Sequence, residues 1–422
     1  MKGRTIVVGG GIMGAAIARS IALRTDPIDA PVVLFEKTRL AAGSSGRSGA
    51  ILRQFYSDAE LVRIARDSLR VYARFRTTTG HDIGFQRLGV LTIGGPAAPR
   101  TIELVQRNAE LLRANGVDAR LLDARTMRTL VPGLVVDDAC VGCHEPDGAG
   151  VDPVRTVEAF AALAREAGAI TRIGERVQGI DVVGGRVRGV RTADGSIAAE
   201  RVVVAAGPWS APMLSAIGVD IPLHVVRPEQ HMLASPRAVS RGAVDRDDSI
   251  AESVMGRFGL ESSALPEPAH PVILDLERGF YTRCEGHASR TRVGRMDHSE
   301  DATILDPDAI DENVSDTFRA WARGALESRL PRYREEADAG SLVGLYTLTP
   351  DAQAAIGPWP TIQGLFVCTG FSGHGFKLAP SIGVGVAQML DDEPVTAFDA
   401  KFFAPERFKS TSATNTHRAF GL

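Results

Sequence analysis

Gly9, Gly11 and Gly14 stand at the spacing G-x-G-x-x-G. The first glycine allows a tight turn, the second lets backbone approach a pyrophosphate, and the third lets a helix pack closely on a strand. The preceding TIVV, residues 5–8, reads as a buried parallel strand. Isoleucine and alanine spacing from 12 to 22 reads as a helix, opened by Ile12 and Met13, whose free N–H groups face the phosphates. A second strand, PVVLFEK, ends on Glu36 and Lys37, with Glu36 22 residues after Gly14. A carboxylate there is placed to bind ribose hydroxyls. The set predicts a dinucleotide site and does not distinguish FAD from NAD.

A second stretch with chemical potential lies far downstream: TGFSGHGFKLAP, residues 369–380. Gly370, Gly373 and Gly375 surround Ser372 and His374, and Phe376 and Lys377 follow directly. The chain has only five lysines among its 48 basic residues, so a lysine closing a glycine loop is a marked choice. Three other patterns do not carry chemistry. CVGCH (140–144) has the haem-attachment spacing but no export signal, and it lacks the second cysteine pair a zinc site needs. MDHSED and the acidic run to Asp316 read as a solvated connection, with no metal expected. GFSGH has His374 where a nucleophile elbow requires glycine.

The elements that must position these residues follow from periodicity and caps. Ser57 and Glu60 read as a capping box before a helix carrying Leu61, Ile64, Ala65, Leu69, Tyr72 and Phe75. Residues 84–98 read as strands, 102–115 as a helix stopped by Gly116, and Asp152-Pro153 as the start of a helix that Gly168 ends. Residues 170–206 read as an antiparallel meander. Residues 222–232 and 272–296 alternate like strands of a separate sheet. Between them Ile250, Val254, Met255 and Phe258 have the spacing of a short amphipathic helix. GLFVCTG reads as a strand into the second stretch, and APSIGVGVAQML as a helix after it.

The 422 residues predict two or three domains. A 44% apolar content provides a large core, and a net charge of −3 gives no electrostatic case for nucleic acid or an anionic membrane. No apolar run approaches the roughly 20 residues of a membrane span. Four cysteines and a start that runs straight into a strand predict a cytoplasmic protein.

VVGGGIMGAAIA, FEK, GSSGRSGAILR, VVVAAGPWS, YTLTPDAQAAIG and GFSGHGFKLAP, in this order, resemble the D-amino-acid oxidase-like family of FAD enzymes, most closely its sarcosine oxidase and amino-acid dehydrogenase branch. The resemblance implies an α/β fold: a Rossmann-like FAD-binding domain, discontinuous in sequence (1–83, 150–221, 333–422). It also implies a substrate domain on a mostly antiparallel sheet (84–149, 222–332). Non-covalent FAD is the implied cofactor, and hydride transfer from a small carboxylate-bearing amine to flavin N5 the implied reaction. A hydroxy-acid oxidoreductase and a flavoprotein subunit of a larger dehydrogenase are the alternatives. The electron acceptor, oxygen or a redox partner, is left open.

Residue by residue, Ser44, Ser45, Arg47, Gly49, Ala50 and Ile51 match the segment lining pyrophosphate and flavin. Val177 matches a contact to adenine, and Ala206, Gly207 and Trp209 a second wall. Arg53 and Lys377 match the pair that holds the substrate carboxylate, and Tyr346 an active-site aromatic. The glycine loop offers N–H groups to the flavin edge where negative charge gathers on reduction. Two departures stand out. Gly344 occupies the place of the cysteine that binds flavin covalently in some relatives. Arg292 falls near the lysine that helps family oxidases react with oxygen.

Overall fold

The computed structural model describes residues 3–236, 269–286, 289–298 and 301–409. Its first sheet has six strands in the order Ala355–Pro358, Leu365–Thr369, Arg201–Val204, Thr5–Val8, Val32–Glu36 and Ile170–Ile173. All neighbours are parallel except the first pair. The near-continuous apolar runs make sense because both faces are covered. Val7, Leu34 and Val203 face the helices Ile12–Ala22, Pro153–Glu166 and Ala379–Leu390. Ile6, Val8, Phe35 and Val204 face a three-stranded antiparallel sheet, 179–198. The helices Ile12–Ala22 and Ala379–Leu390 cross so closely that a Cβ at Gly383 would sit 2.7 Å from the Ala16 carbonyl oxygen. The C-terminal stretch thereby returns to the first strand–turn–helix.

A second sheet has eight strands: Asp338–Val343, Glu229–Ala234, Arg290–Arg295, Phe280–Glu285, Val272–Asp275, Val90–Gly94, Val141–Glu145 and Arg120–Asp123. One pair, Val272–Asp275 with Val90–Gly94, is parallel; the others are antiparallel. The helix Asp316–Arg329 packs on it through Phe318, Ala322 and Leu326. Two further small sheets stand apart from both. Ile51–Leu52 pairs with Ala149–Gly150, and His224–Val226 with Tyr346–Leu348. No helix of the described residues is long and apolar enough to cross a membrane.

Several expectations need correction. Only 179–198 forms the antiparallel meander; Ile170–Ile173 and Arg201–Val204 pair in parallel with Val33–Glu36 and Thr5–Val8. Alternation marks a strand but not its partner, and the helix Pro153–Glu166 supplies the crossover that a parallel edge strand requires. Asp58, not Ser57, caps the helix Ala59–Ala73, its carboxylate accepting from the Glu60 and Leu61 amides at 2.8 and 3.4 Å. Ser57 accepts from Asn108 instead, and the Glu60 side chain is taken by Arg63 and the Asp399 amide. The CVGCH stretch is mostly the strand Val141–Glu145, with Cys140 and Cys143 buried and free. The 250–258 helix expectation lies outside the described residues.

Candidate active site

The strand Thr5–Val8 ends in the glycine turn at the carboxyl edge of the parallel sheet, where α/β folds bind ligands. Close approach fixes each glycine. A Cβ at Gly9 would meet the Ala205 carbonyl oxygen at 2.4 Å, one at Gly11 Ser45 Oγ at 2.9 Å, and one at Gly14 the Gly9 carbonyl oxygen at 1.8 Å. Ser45 Oγ accepts from the Ile12 amide at 3.0 Å, so the serine loop is tied to the first turn of the helix. Glu36, at the end of its strand, accepts from the Gly10 and Thr38 amides, each at 2.9 Å.

A cleft of about 670 Å³ runs from this point across the carboxyl edge of the sheet. Gly9, Gly11, Ile12, Met13, Glu36, Lys37, Ser44, Ser45, Arg47, Val177, Ala206, Gly207 and Trp209 line it, as do Gly370, Ser372, Gly373, Gly375 and Phe376. The volume lies within the range of cofactor sites. Glu36 at one end, helix amides in the middle and a glycine loop at the other end fit a dinucleotide extended along the sheet edge. At the nucleotide end Lys37 lies 3.7 Å above the Trp209 ring and pairs with Asp308, which also accepts from Trp209 Nε1 at 2.9 Å. Arg47 pairs with Glu312 at 2.5 Å and donates to the Val343 carbonyl at 3.1 Å. The C-terminal loop is pinned at Ser372, whose φ is +47° and whose amide donates to the Thr347 carbonyl at 2.9 Å.

A small cavity of about 40 Å³ shares Ser48, Tyr346, Gly373 and Phe376 with this cleft. Gly49, Ala50, Ile51, Arg53 and Lys377 line it, so two distant stretches bring their cations to one space. Ala50 turns the chain there at φ +43°, a conformation that alanine rarely holds. Arg53 is 3% exposed, donates to the Phe55 carbonyl and lies 4.3 Å over the Tyr56 ring. Lys377 is 6% exposed and donates to the His374 carbonyl at 3.4 Å. Burial pushes the Lys377 ammonium well below its usual range, Arg53 adds to the shift, and Glu145 opposes it.

Three of the site residues expected from sequence lie off the cavities, besides Gly14 in its helix. Gly344 lines neither; its amide donates to Pro228 and a Cβ would meet Gln230 Nε2 at 3.1 Å. His374 is fully buried, its Nε2 paired with the Ala352 carbonyl at 2.8 Å, and burial pushes it down to about 3, so its ring is neutral. Arg292, expected beside the flavin, also lines neither space. It bonds Glu285 at 2.5 Å, the Gln230 side chain and the Arg47 carbonyl, behind Gly49. Burial alone would raise Glu285, yet Arg292, Arg283 and Arg290 hold it at about 2. Arg292 is thus committed to an internal ion pair.

Sequence reasoning missed Tyr281, Leu274 and Met296 in the small cavity and Cys368 in the cleft. Tyr281 hydrogen-bonds Tyr346, and burial pushes both phenols up. It was legible only as one aromatic in a strand, although the chain has just five tyrosines.

The model of the FAD dependent oxidoreductase (DAO) family matches residues 4–389. The chain belongs to this family. It is 26% identical to monomeric sarcosine oxidase from Bacillus sp. (strain NS-129), covering 91% of this chain and 92% of that one. It is 25% identical to mitochondrial dimethylglycine dehydrogenase from Mus musculus over 98% of this chain, but spans only 45% of that protein's length. The fold is that of L-proline dehydrogenase from P. horikoshii, with a TM-score of 0.81 at 23% identity, covering 97% and 98% of the two chains. Glycine oxidase from Geobacillus kaustophilus has a TM-score of 0.77 at 23% identity, covering 96% and 99%.

Proposed function

We propose that this protein is an FAD-dependent amine oxidoreductase acting on a small amino acid with a primary or N-alkyl amine. The observation that carries the reading is the meeting of Arg53 and Lys377 in one small buried cavity that shares walls with the cofactor cleft. Arginine grips a carboxylate through two parallel hydrogen bonds, and lysine adds a point charge. Held there, the substrate presents its α or N-alkyl C–H bond toward the shared wall of Gly373 and Phe376, and orientation of that kind accounts for much of the rate. Bound FAD supplies the two-electron acceptor, and the imine product hydrolyses in water. Tyr281 and Tyr346, with Leu274 and Met296, bound the space left for the side chain and favour a small one. The names of sarcosine oxidase, dimethylglycine dehydrogenase and glycine oxidase support the same class.

FAD is held without a covalent bond in this reading. Cys368 is the cysteine that lines the cleft, and burial pushes its thiol up, so it stays protonated and unreactive. We assign 1–83, 150–221 and 333–422 to the cofactor domain and 84–149 and 222–332 to the substrate domain, with Asp338–Val343 reaching across to the second sheet. Four free, buried cysteines support a cytoplasmic setting. An anaerobic screen of amines, N-methyl amino acids and hydroxy acids tests the reading. Loss of oxidised-flavin absorbance with amino acids and release of a carbonyl product are expected. Bleaching by hydroxy acids alone overturns it.

A further inference from the structure

Glu145 is fully buried at the end of the strand Val141–Glu145, and the function above gives it no role. One carboxylate oxygen accepts from the Gln54 amide at 2.6 Å, which ties it to the turn that presents Arg53. The other oxygen has no hydrogen-bond partner among the described residues. Arg53 and Lys377 both act on this carboxylate electrostatically. Glu145 lines neither cavity itself, and a buried acid coupled to two cations that await an anion is a charge reserve.

We propose that Glu145 is the internal counter-ion of the Arg53–Lys377 pair, and that it takes up a proton when a substrate carboxylate binds there. The inference rests on the carboxylate-binding function proposed above. An empty site holding two buried cations needs a negative charge, which the ionised Glu145 provides. An arriving carboxylate brings a second negative charge to the same two cations, and like charges favour protonation of one of them. The proton comes from solvent, and Glu145 returns it when the ligand leaves.

The other titratable groups around Arg53, Lys377 and Glu145 leave few rivals for this titration. Tyr56 is pushed by burial up to about 12, and His374 by burial down to about 3. Cys143, on the same strand, is pushed up by burial, with Arg113 of the neighbouring helix opposing. Burial raises Glu145 itself to about 7, against the Gln54 amide, Arg53, the Phe55 amide and the Gln54 side chain. Glu145 is therefore the group in the cluster that changes charge near neutrality. A bound anion raises its pKa further. Carboxylate affinity is then highest at low pH and falls as pH rises through the Glu145 value toward its ligand-bound value.

The test uses the FAD-loaded protein and propionate, a carboxylate without an amine, titrated by the shift in flavin absorbance from about pH 6 to 9. The Kd is expected to rise up to about tenfold per pH unit above neutrality, the slope of one coupled proton. Glu145→Gln keeps an oxygen for the Gln54 amide but cannot ionise. It is expected to hold FAD and to lose the part of the slope that lies near pH 7. An unchanged pH profile in this variant overturns the inference and leaves the carboxylate site standing. Failure of the unsubstituted protein to bind propionate at any pH overturns the carboxylate-binding reading itself. If Glu145→Gln does not fold, infrared difference spectra of the unsubstituted holoprotein decide. Growth of a protonated-carboxyl band on propionate binding supports proton uptake, and its absence overturns it.

Discussion

Replacing Lys377 with methionine separates binding of a carboxylate from everything else this residue does. The side chain is 6% exposed and its hydrogen bond to the His374 carbonyl, at 3.4 Å, is long. Methionine fills nearly the same volume without an ammonium to desolvate, so the variant is expected to fold, keep full FAD content and melt no lower. The substrate carboxylate, however, would be left in a buried cavity with Arg53 alone. Losing one partner of a buried charge pair costs about 2–4 kcal/mol, the lower part of the usual range. At about 1.36 kcal/mol per decade, kcat/KM should fall about 30- to 900-fold. The assay is anaerobic stopped-flow reduction of the bound flavin across a range of amino-acid concentrations, with FAD content and Tm measured on the same preparation. A Lys377→Met protein with full FAD and unchanged reduction kinetics would refute the reasoning, because nothing else in the cavity replaces that charge.

Three further outcomes follow from the geometry. Gly14→Ala would place a methyl group 1.8 Å from the Gly9 carbonyl oxygen, backbone that cannot yield without opening the turn, so the purified variant should lack FAD; a normal flavin-to-protein absorbance ratio contradicts this. His374 is held near 3 when folded against about 6.5 when unfolded, so below pH 6.5 only the unfolded chain gains its proton. That contribution removes about 2 kcal/mol of stability by pH 5, and denaturant unfolding of His374→Gln should show a flatter pH profile over this window. Arg292 is committed to Glu285 and lines neither cavity, so photoreduced protein should reoxidise slowly in air and faster with an artificial acceptor; rapid reoxidation with stoichiometric peroxide contradicts this.

Local patterns were legible in the sequence and partners at long range were not. The strand and helix around Gly9–Gly14 and the helix Ala379–Leu390 form where the apolar spacing places them, because both are specified within one turn or pleat. The same spacing did not reveal that Ile170–Ile173 joins the parallel sheet, since pairing is decided by residues far away in the chain. Lys377 stood out as a scarce lysine closing a glycine loop, but Arg53 and the pairing of the two were nameable only through resemblance, and the fold alone brings them to one cavity. Glu145 was hidden for a related reason. In CVGCHE the cysteines and histidine drew attention, while the acid reads as an ordinary polar strand end until burial leaves one of its oxygens unpaired. Arg292 shows the opposite case: its position suggested a place beside the flavin, but Glu285 on the adjacent strand holds it behind Gly49.

The central claim is that a carboxylate, held by Arg53 and Lys377, fixes an amino acid for oxidation by FAD. Its most direct test compares one N-methyl amino acid with its methyl ester in anaerobic flavin reduction by the unsubstituted protein. The two share the amine and the C–H bond and differ in the charge that the cations grip. The account predicts fast reduction by the acid and reduction by the ester slower by about 30-fold or more, the lower bound for losing one buried charge partner. Equal rates for acid and ester would contradict it.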